Sequence, residues 1–475
     1  MSVVHAQVHS WQHYYDRFQK VMNSDNDFRS AAAELARAVR GQVLLPEDSG
    51  YDAEWSGYNI AVVQSPAIIV SATSSADVRE AVLFGVRQNL PVAVQATGHA
   101  PQPSDGAVLV TTRQMNGVEI DASARTARVE AGTVWRQVVE AAVKYGLAPL
   151  NGAAPSVGAV SYTLGGGVGP LARSFGYAAD HVRSLTIVTA DGVERLASPE
   201  ENQDLFWAVR GGKNNFGIVT SIVVDLFPVS SLYGGGLYFL GSAAREVLRA
   251  YSAWTETVPE EMTSSVALLR LPPDPTLPDP LRGKYVTHVR IAYNGPETEG
   301  ERLVAPLRSI APLLIASVGV LPYSQVGTIH NDPPGPIPFI DTTALLSEFS
   351  AGTADAIADL EPSATLVEIR HLGGALSREP KHANAVGNRD AAFLVYAVSI
   401  VPPQLLAGAA EDHAQLHKAI QPWKTEGVAY NFASDPTLTQ NAFSAETYAR
   451  LAEVKAQRDP ANLFRVNLNI PPTVR

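Results

Sequence analysis

The most conspicuous chemistry in this sequence is a glycine cluster between Gly152 and Gly176, centred on Gly165-Gly166-Gly167-Val168-Gly169. Runs of this kind let backbone N–H groups approach a ligand closely, and the usual ligand is a diphosphate. Gly167 to Ala172 also matches G-x-G-x-x-A, the dinucleotide fingerprint of a nicotinamide site. That fingerprint should open a helix. Pro170–Tyr177 reaches Gly176 before two turns can form, so the nicotinamide reading is rejected. A single histidine, His99, closes the loop Ala96-Thr97-Gly98-His99 shortly before the cluster. A lone loop histidine is usually a surface or structural residue; its position makes it a candidate.

Two other histidine sets have the spacing of one helix face: His5, His9 and His13, and His413 with His417. Neither forms H-E-x-x-H, and the first lies at a terminus, so both read as solvated and no metal is expected. No G-x-S-x-G elbow and no Walker A sequence is present, which leaves serine hydrolysis and phosphoryl transfer unsupported. The chain has 0 cysteines, which excludes disulfides, cysteine-ligated zinc, iron–sulfur clusters and thiol nucleophiles. The residues by themselves describe a glycine-rich, anion-cradling α/β enzyme.

Several elements must position these residues. Ala67–Ser71 and Pro91–Gln95 read as strands around a helix at Ser75–Gln88, capped by Ser75 with Val78, Val82, Leu83 and Val86 on one face. This gives a β–helix–β unit over 67–95 that delivers the His99 loop. Further strands are expected at Val108–Thr111, Val118–Ile120, Ala127–Glu130, Ser184–Thr189 and Gly217–Leu226. Asp191–Gly192 turns a hairpin, and helices are expected at Thr133–Tyr145 and Asp204–Val209. After Pro228 the texture changes to separated strands (Gly236–Phe239, Tyr285–Tyr293, Leu366–His371, Phe393–Ile400) with helices at Ser242–Thr257 and Thr343–Ala358. This is the pattern of an antiparallel sheet with helices. A final helix at Thr447–Arg458 runs into an extended Leu463–Ile470.

With 475 residues, 46% of them apolar and 17% charged, the chain is globular and too long for one ordinary core. Its net charge of −11, from 36 basic and 47 acidic residues with no basic tract, argues against nucleic acid and anionic membrane as partners. Met1–Lys20 lacks the basic-then-apolar pattern of a signal peptide, and no apolar run approaches a membrane span. A soluble, cytoplasmic protein is the default expectation.

Several segments resemble one family, the berberine-bridge-enzyme-like branch of the vanillyl-alcohol-oxidase flavoproteins. They are Pro66–Val70 with Ala76–Val78, Pro91–His99 (PVAVQATGH), and Val157-Gly158 followed by Thr163–Gly169 (TLGGGVG), Tyr177 and Asp180. They continue with Asp204–Thr220 (DLFWAVRGGKNNFGIVT), Gly373–Ala375, Asn388-Arg389 and Arg450–Ile470. The resemblance implies an α+β fold: a two-part FAD-binding domain of the vanillyl-alcohol-oxidase type (residues 1–228, with 426–475 returning to it) and an inserted antiparallel-sheet substrate domain (229–425). It implies FAD as cofactor, joined by one covalent bond through His99. A cysteinyl second bond is not expected, since the corresponding position is Ala154. The flavin contacts it implies are Gln95, Ala96, Thr97, Gly98, Ala100, Pro155, Val157, Gly158, Ser161 and Thr163. Gly165, Gly166, Gly167, Gly169, Tyr177, Gly217, Ile218, Asn467 and Asn469 complete the set.

The sequence departs from that family at several points. Gln95 replaces an arginine, Thr97 a glycine, Lys213 and Asn214 glycines, and His181 an asparagine. The family's Y-x-N-Y segment, which supplies a tyrosine base in many members, is Ala429-Tyr430-Asn431-Phe432 here, and a second tyrosine is Phe443. The expected reaction is hydride transfer from a small organic substrate to flavin, with O2 as final acceptor; Val157 at the family's oxygen-gate position is associated with oxidases. Candidate bases are Tyr430, Glu368, His371 and Tyr396. Strand alternation sets Glu368 and Arg370 on one face and His371 on the other. The expected substrate is a secondary metabolite or heterocyclic amine, ahead of a sugar or alcohol. A non-redox cyclase with structural flavin and a plain binding protein are the rivals.

Overall fold

The computed structural model describes residues 27–361 and 363–473. His5, His9 and His13 lie outside the described residues.

Three sheets organise the described residues. The first has four strands in the order Gln42–Leu44, Ile68–Ser71, Val108–Thr111, Val92–Gln95. Val108–Thr111 runs parallel to both Ile68–Ser71 and Val92–Gln95. The strands of the expected β–helix–β unit are therefore parallel but not adjacent, because a later strand inserts between them. Helix Ser75–Gln88 packs Val78, Ala81 and Val82 onto this sheet. Its start is fixed by Asp77, whose buried carboxylate accepts from the backbone N–H groups of Arg40 (2.9 Å), Gly41 (3.2 Å) and Thr73 (2.9 Å). The helix cap is Ser74, one residue earlier than the sequence suggests.

A five-stranded antiparallel sheet follows, in the order Val118–Asp121, Thr126–Glu130, Ile218–Asp225, Val182–Val188, Glu194–Ala197. Its last pair is the Asp191–Gly192 hairpin.

The third sheet is the largest. Its path is Leu313–Ala316, Ser231–Leu240, Tyr285–Tyr293, Met262–Arg270, Leu366–His371, Phe393–Ile400, Phe339–Leu346, with Gly319–Pro322 also on Ser231–Leu240. Every pairing is antiparallel. Helices Ala244–Thr255, Ala351–Leu360 and Leu406–Ile420 bury one face of it, meeting Val367, Ile369, Val395, Ala397 and Leu346 in a single apolar cluster. The helix expected over Thr343–Ala358 is strand as far as Leu346 and helix only from Ala351. Phe339–Leu346 (FIDTTALL) carries β-branched residues that favour the pleated surface.

The last helix, Ala445–Arg458, returns to the middle sheet. Lys455 on it is fully buried and donates to Asp459 Oδ2 (2.6 Å) and to the Asn215 carbonyl (2.7 Å). Asp459 in turn accepts from Leu463 N and Phe464 N, so one ion pair fixes the direction of the C-terminal tail.

Among the described residues no helix is long and apolar enough to cross a membrane, and no cluster of three or more metal-ligating side chains occurs. His413 and His417 turn to different partners, Ser399 Oγ (3.0 Å) and Thr342 Oγ1 (2.7 Å).

Candidate active site

The uncovered face of the large sheet meets the His99 loop across a cavity of about 410 Å3. Strand alternation supplies its sheet wall: Leu366, Glu368 and Arg370 from one strand, Tyr396, Val398 and Ile400 from the next, Phe339 and Asp341 from the edge. The opposite wall comes from residues 93–102, 152–154, Val157 and 160–162, and the end is closed by 430–433 and 466–468.

His99 is held from three sides. Gly98 has φ +65, and a Cβ there would strike Gly57. The absence of both side chains lets segments 57–59 and 97–98 pair through Tyr58 N to Thr97 O and Asn59 N to Gly98 O, each 2.9 Å. That pairing lays the Tyr58 ring on the imidazole, centroids 4.0 Å apart and planes 9° apart. Thr97 Oγ1 lies 2.8 Å from Nδ1, and Ser156 Oγ 3.3 Å from Nε2. Burial drives the His99 pKa down to about 4, so at neutral pH the ring is uncharged and one nitrogen keeps an unprotonated lone pair.

Of the expected flavin contacts, Gln95, Ala96, Thr97, Gly98, His99, Ala100, Val157, Ser161 and Asn467 stand on the cavity wall, as does Ala154. Gln95 is occupied as a structural amide, donating to Trp55 O (2.8 Å) and accepting from Gln64 (2.8 Å). The others stand off the wall. Pro155 and Gly158 precede helix Ala159–Leu164, within which the Thr163 hydroxyl donates to the Ala159 carbonyl (2.8 Å). Gly165, Gly167 and Tyr177 border a separate cavity of about 30 Å3. Gly166 and Gly167 accept from Ala179 N and Ala178 N, and Gly169 packs on the Asn151 carbonyl. The glycine cluster thus folds chain against chain behind the wall. Gly217 packs on Val188 O, and Ile218 is fully buried in its strand. Asn469 lies just past the wall.

Three of the four candidate bases are otherwise engaged. Glu368, 1% exposed, accepts from Arg290 Nη1 (2.7 Å), Ser265 Oγ (2.7 Å) and Arg370 Nε (2.8 Å), with His330 Nε2 at 3.4 Å. Burial would raise its pKa, but Arg370 and Arg290 outweigh this and hold it well below the carboxylate range. Such a carboxylate is a poor proton acceptor. His371 faces away from the cavity: Arg173 Nη1 lies 3.0 Å from its Nε2, and its ring stacks on Phe393. Tyr430 has its ring at the wall, but its hydroxyl donates to Leu468 O (2.9 Å) and accepts from Asn215 (3.2 Å), turned into the tail. Tyr396 faces the cavity and donates to Asp341 Oδ2 (2.8 Å).

Asp341, Arg370 and Lys213 were not singled out as site residues by the sequence. Asp341 falls just before a segment that reads as helix. Arg370 carried a weak signal, the strand face it shares with Glu368. Burial raises the Asp341 pKa.

FAD fits this cavity on its own polar atoms. The Thr112 hydroxyl and the Asn467 side-chain oxygen on its wall are buried with no hydrogen-bond partner in the protein. Buried polar groups in that state call for a ligand or water. Around them the wall is mostly apolar (Ala93, Val94, Leu109, Val160, Val219, Leu468), as a large flat ring system requires.

Comparison with known proteins gives the same picture. The FAD binding domain family matches residues 66–197, and the berberine and berberine-like family matches residues 429–471. (R)-6-hydroxynicotine oxidase of Paenarthrobacter nicotinovorans is 31% identical over 468 residues, covering 92% of this chain and 97% of that protein. The solved structure of 6-hydroxy-D-nicotine oxidase from Arthrobacter nicotinovorans superposes with a TM-score of 0.80 at 27% identity, covering 92% of this chain and 98% of the other. A carbohydrate oxidase from Microdochium nivale superposes with a TM-score of 0.78 at 21% identity over 94% of this chain and 100% of the other, a likeness of fold alone.

Proposed function

Because the chain belongs to the berberine-bridge-enzyme-like family of FAD-linked oxidoreductases, we propose that it oxidises a small heterocyclic amine or related secondary metabolite, with FAD joined covalently through His99 and reoxidised by O2. On this reading residues 1–228 and 426–475 hold the flavin, and 229–425 supply the substrate wall. The observation that carries it is His99 itself, an uncharged imidazole fixed at the cavity wall between Tyr58, Thr97 and Ser156. A neutral ring nitrogen is the nucleophile such a bond needs. Ala154 offers no second attachment.

When bound, the flavin supplies a two-electron acceptor for hydride from a substrate C–H bond. The sheet wall orients that bond and excludes water. The proton released from substrate N–H or O–H goes to the Asp341–Tyr396 pair, whose carboxylate is buried beside the cavity with its pKa raised. An apolar wall of Phe339, Leu366, Val398, Ile400 and Phe432 suits a flat heterocycle better than a sugar, which needs many polar contacts. The named activity of the nicotinovorans relative supports the same class.

Acid precipitation tests the reading. A yellow pellet, with flavin on the peptide containing His99, is the expected result; flavin wholly in the supernatant, or an unchanged yellow pellet from His99→Ala, overturns it. Absorbance that never bleaches anaerobically with a substrate that is nonetheless converted would favour the cyclase alternative.

A further inference from the structure

Position 213, where the resemblance implies a glycine, carries a lysine held in an unfavourable backbone conformation. Its backbone sits at φ 51, ψ −139, a region that side-chain-bearing residues rarely enter. Such strain costs about 1–3 kcal/mol and persists only where the surroundings impose it. The side chain runs along the cavity wall, and a Cβ at Gly165 would collide with Lys213 Cε and Asn431 Oδ1. Gly165 is thus the space in which the lysine lies.

No hydrogen bond or carboxylate meets its ammonium among the described residues. The neighbour found for Nζ is the face of Tyr430, 5.5 Å to the ring centroid. Burial without a counter-charge lowers its pKa to about 8, so most molecules still carry the charge at neutral pH. Other buried cations among the described residues have hydrogen-bond acceptors: Lys455, Arg290 and Arg389 pair with Asp459, Glu368 and Asp180, while Arg173 and Arg210 donate to backbone carbonyls. A strained, unpaired cation beside a cavity that holds FAD calls for an anion that forms there.

We propose that Lys213 is a positioning residue for charge: its ammonium stabilises the reduced flavin, which carries one net negative charge after taking up two electrons and one proton as hydride. A unit charge acts over several ångströms in a poorly hydrated cavity, so no direct contact is needed. The proposal rests on FAD occupying this cavity, not on the His99 bond or on the substrate class.

The test is the two-electron midpoint potential of the holoenzyme at pH 7, read against reference dyes. K213M should favour the oxidised form by about tenfold or more in the equilibrium constant. K213R should stay near wild type, because it keeps the charge, and K213G should shift as K213M does. If K213M fails to retain flavin, K213G carries the comparison, since glycine suits the backbone. A merely structural lysine would leave the potential unmoved in all three. Potentials for K213M or K213G equal to wild type overturn the proposal alone; a wild-type protein without flavin overturns the reading of the cavity and this proposal with it.

Discussion

Tyr396 reaches Asp341 diagonally across two strands. Its register partner is Thr343, while Asp341 pairs with Val398, so the 2.8 Å hydrogen bond spans an offset of two residues on the cavity face. Diagonal neighbours lie within reach of an aromatic side chain. The phenol thus fixes one carboxylate oxygen, Oδ2, on the cavity face.

Asp341→Asn should lower the rate of flavin bleaching under anaerobic conditions by about 10²-fold or more for a substrate that must lose an N–H or O–H proton. Tyr396→Phe should have a smaller effect, since it loosens the acceptor without removing it. Stopped-flow absorbance with any turnover substrate reads both. Equal rates for Asp341→Asn and wild type would remove the pair from the chemistry.

Tyr58→Leu should keep the FAD cavity but loosen the imidazole, removing roughly 0.5–1.5 kcal/mol of ring contact. The expected outcome is a smaller fraction of flavin retained in the acid pellet at unchanged total flavin. His99→Ala should release all of it.

Glu368→Gln should destabilise the protein by about 3–5 kcal/mol, because it leaves Arg290 and Arg370 buried without their counter-charge. Urea unfolding of the purified variant measures this. A loss below about 1 kcal/mol would show that solvent screens the cluster.

Two half-buried histidines away from the flavin loop set an acid limit. Burial, then Arg173, lowers His371 to about 3; burial, then Lys424 and His413, lowers His417 to about 4. Both folded values lie below the ordinary 6.5, so the unfolded chain binds more protons across the interval between them. Stability is fully present above about pH 6.5 and is lost as pH falls toward 4 and 3, by on the order of 1 kcal/mol for each ring once solvent screening of the partly exposed rings is allowed for. Urea midpoints measured from pH 7.5 to 4.5 should decline, and less steeply in His371→Gln.

Much of this arrangement was legible in the chain. Leu366–His371 and Phe393–Ile400 have the alternation and bounds of the observed strands, so the face shared by Glu368 and Arg370 follows from period two alone. The His99 loop was legible through its resemblance to a known family. What could not be read was long-range. Glu368 looks like a base until Arg290, 78 residues away, reaches it from two strands across the sheet to neutralise it. Val108–Thr111 inserts between two strands that local pattern makes neighbours. Asp341 was hidden because Thr343 and Ala344 blurred strand into helix. The glycine cluster carries a different ambiguity: glycine serves close packing as readily as ligand approach, and Gly166, Gly167 and Gly169 let loops stack behind the wall.

The large sheet divides its residues by parity. On the strand 366–371, the odd-numbered Val367 and Ile369 belong to the helix-covered core, while the even-numbered neighbours face the cavity. The same holds for Val395 and Ala397 against Tyr396 and Val398. Evolution therefore has two nearly independent alphabets on one backbone. Substitutions at Leu366, Val398 or Ile400 redraw the shape offered to a substrate while the core side remains unread. A single scaffold can then diversify its chemistry by changing every second letter. Library design on this protein should randomise one parity and leave the other untouched.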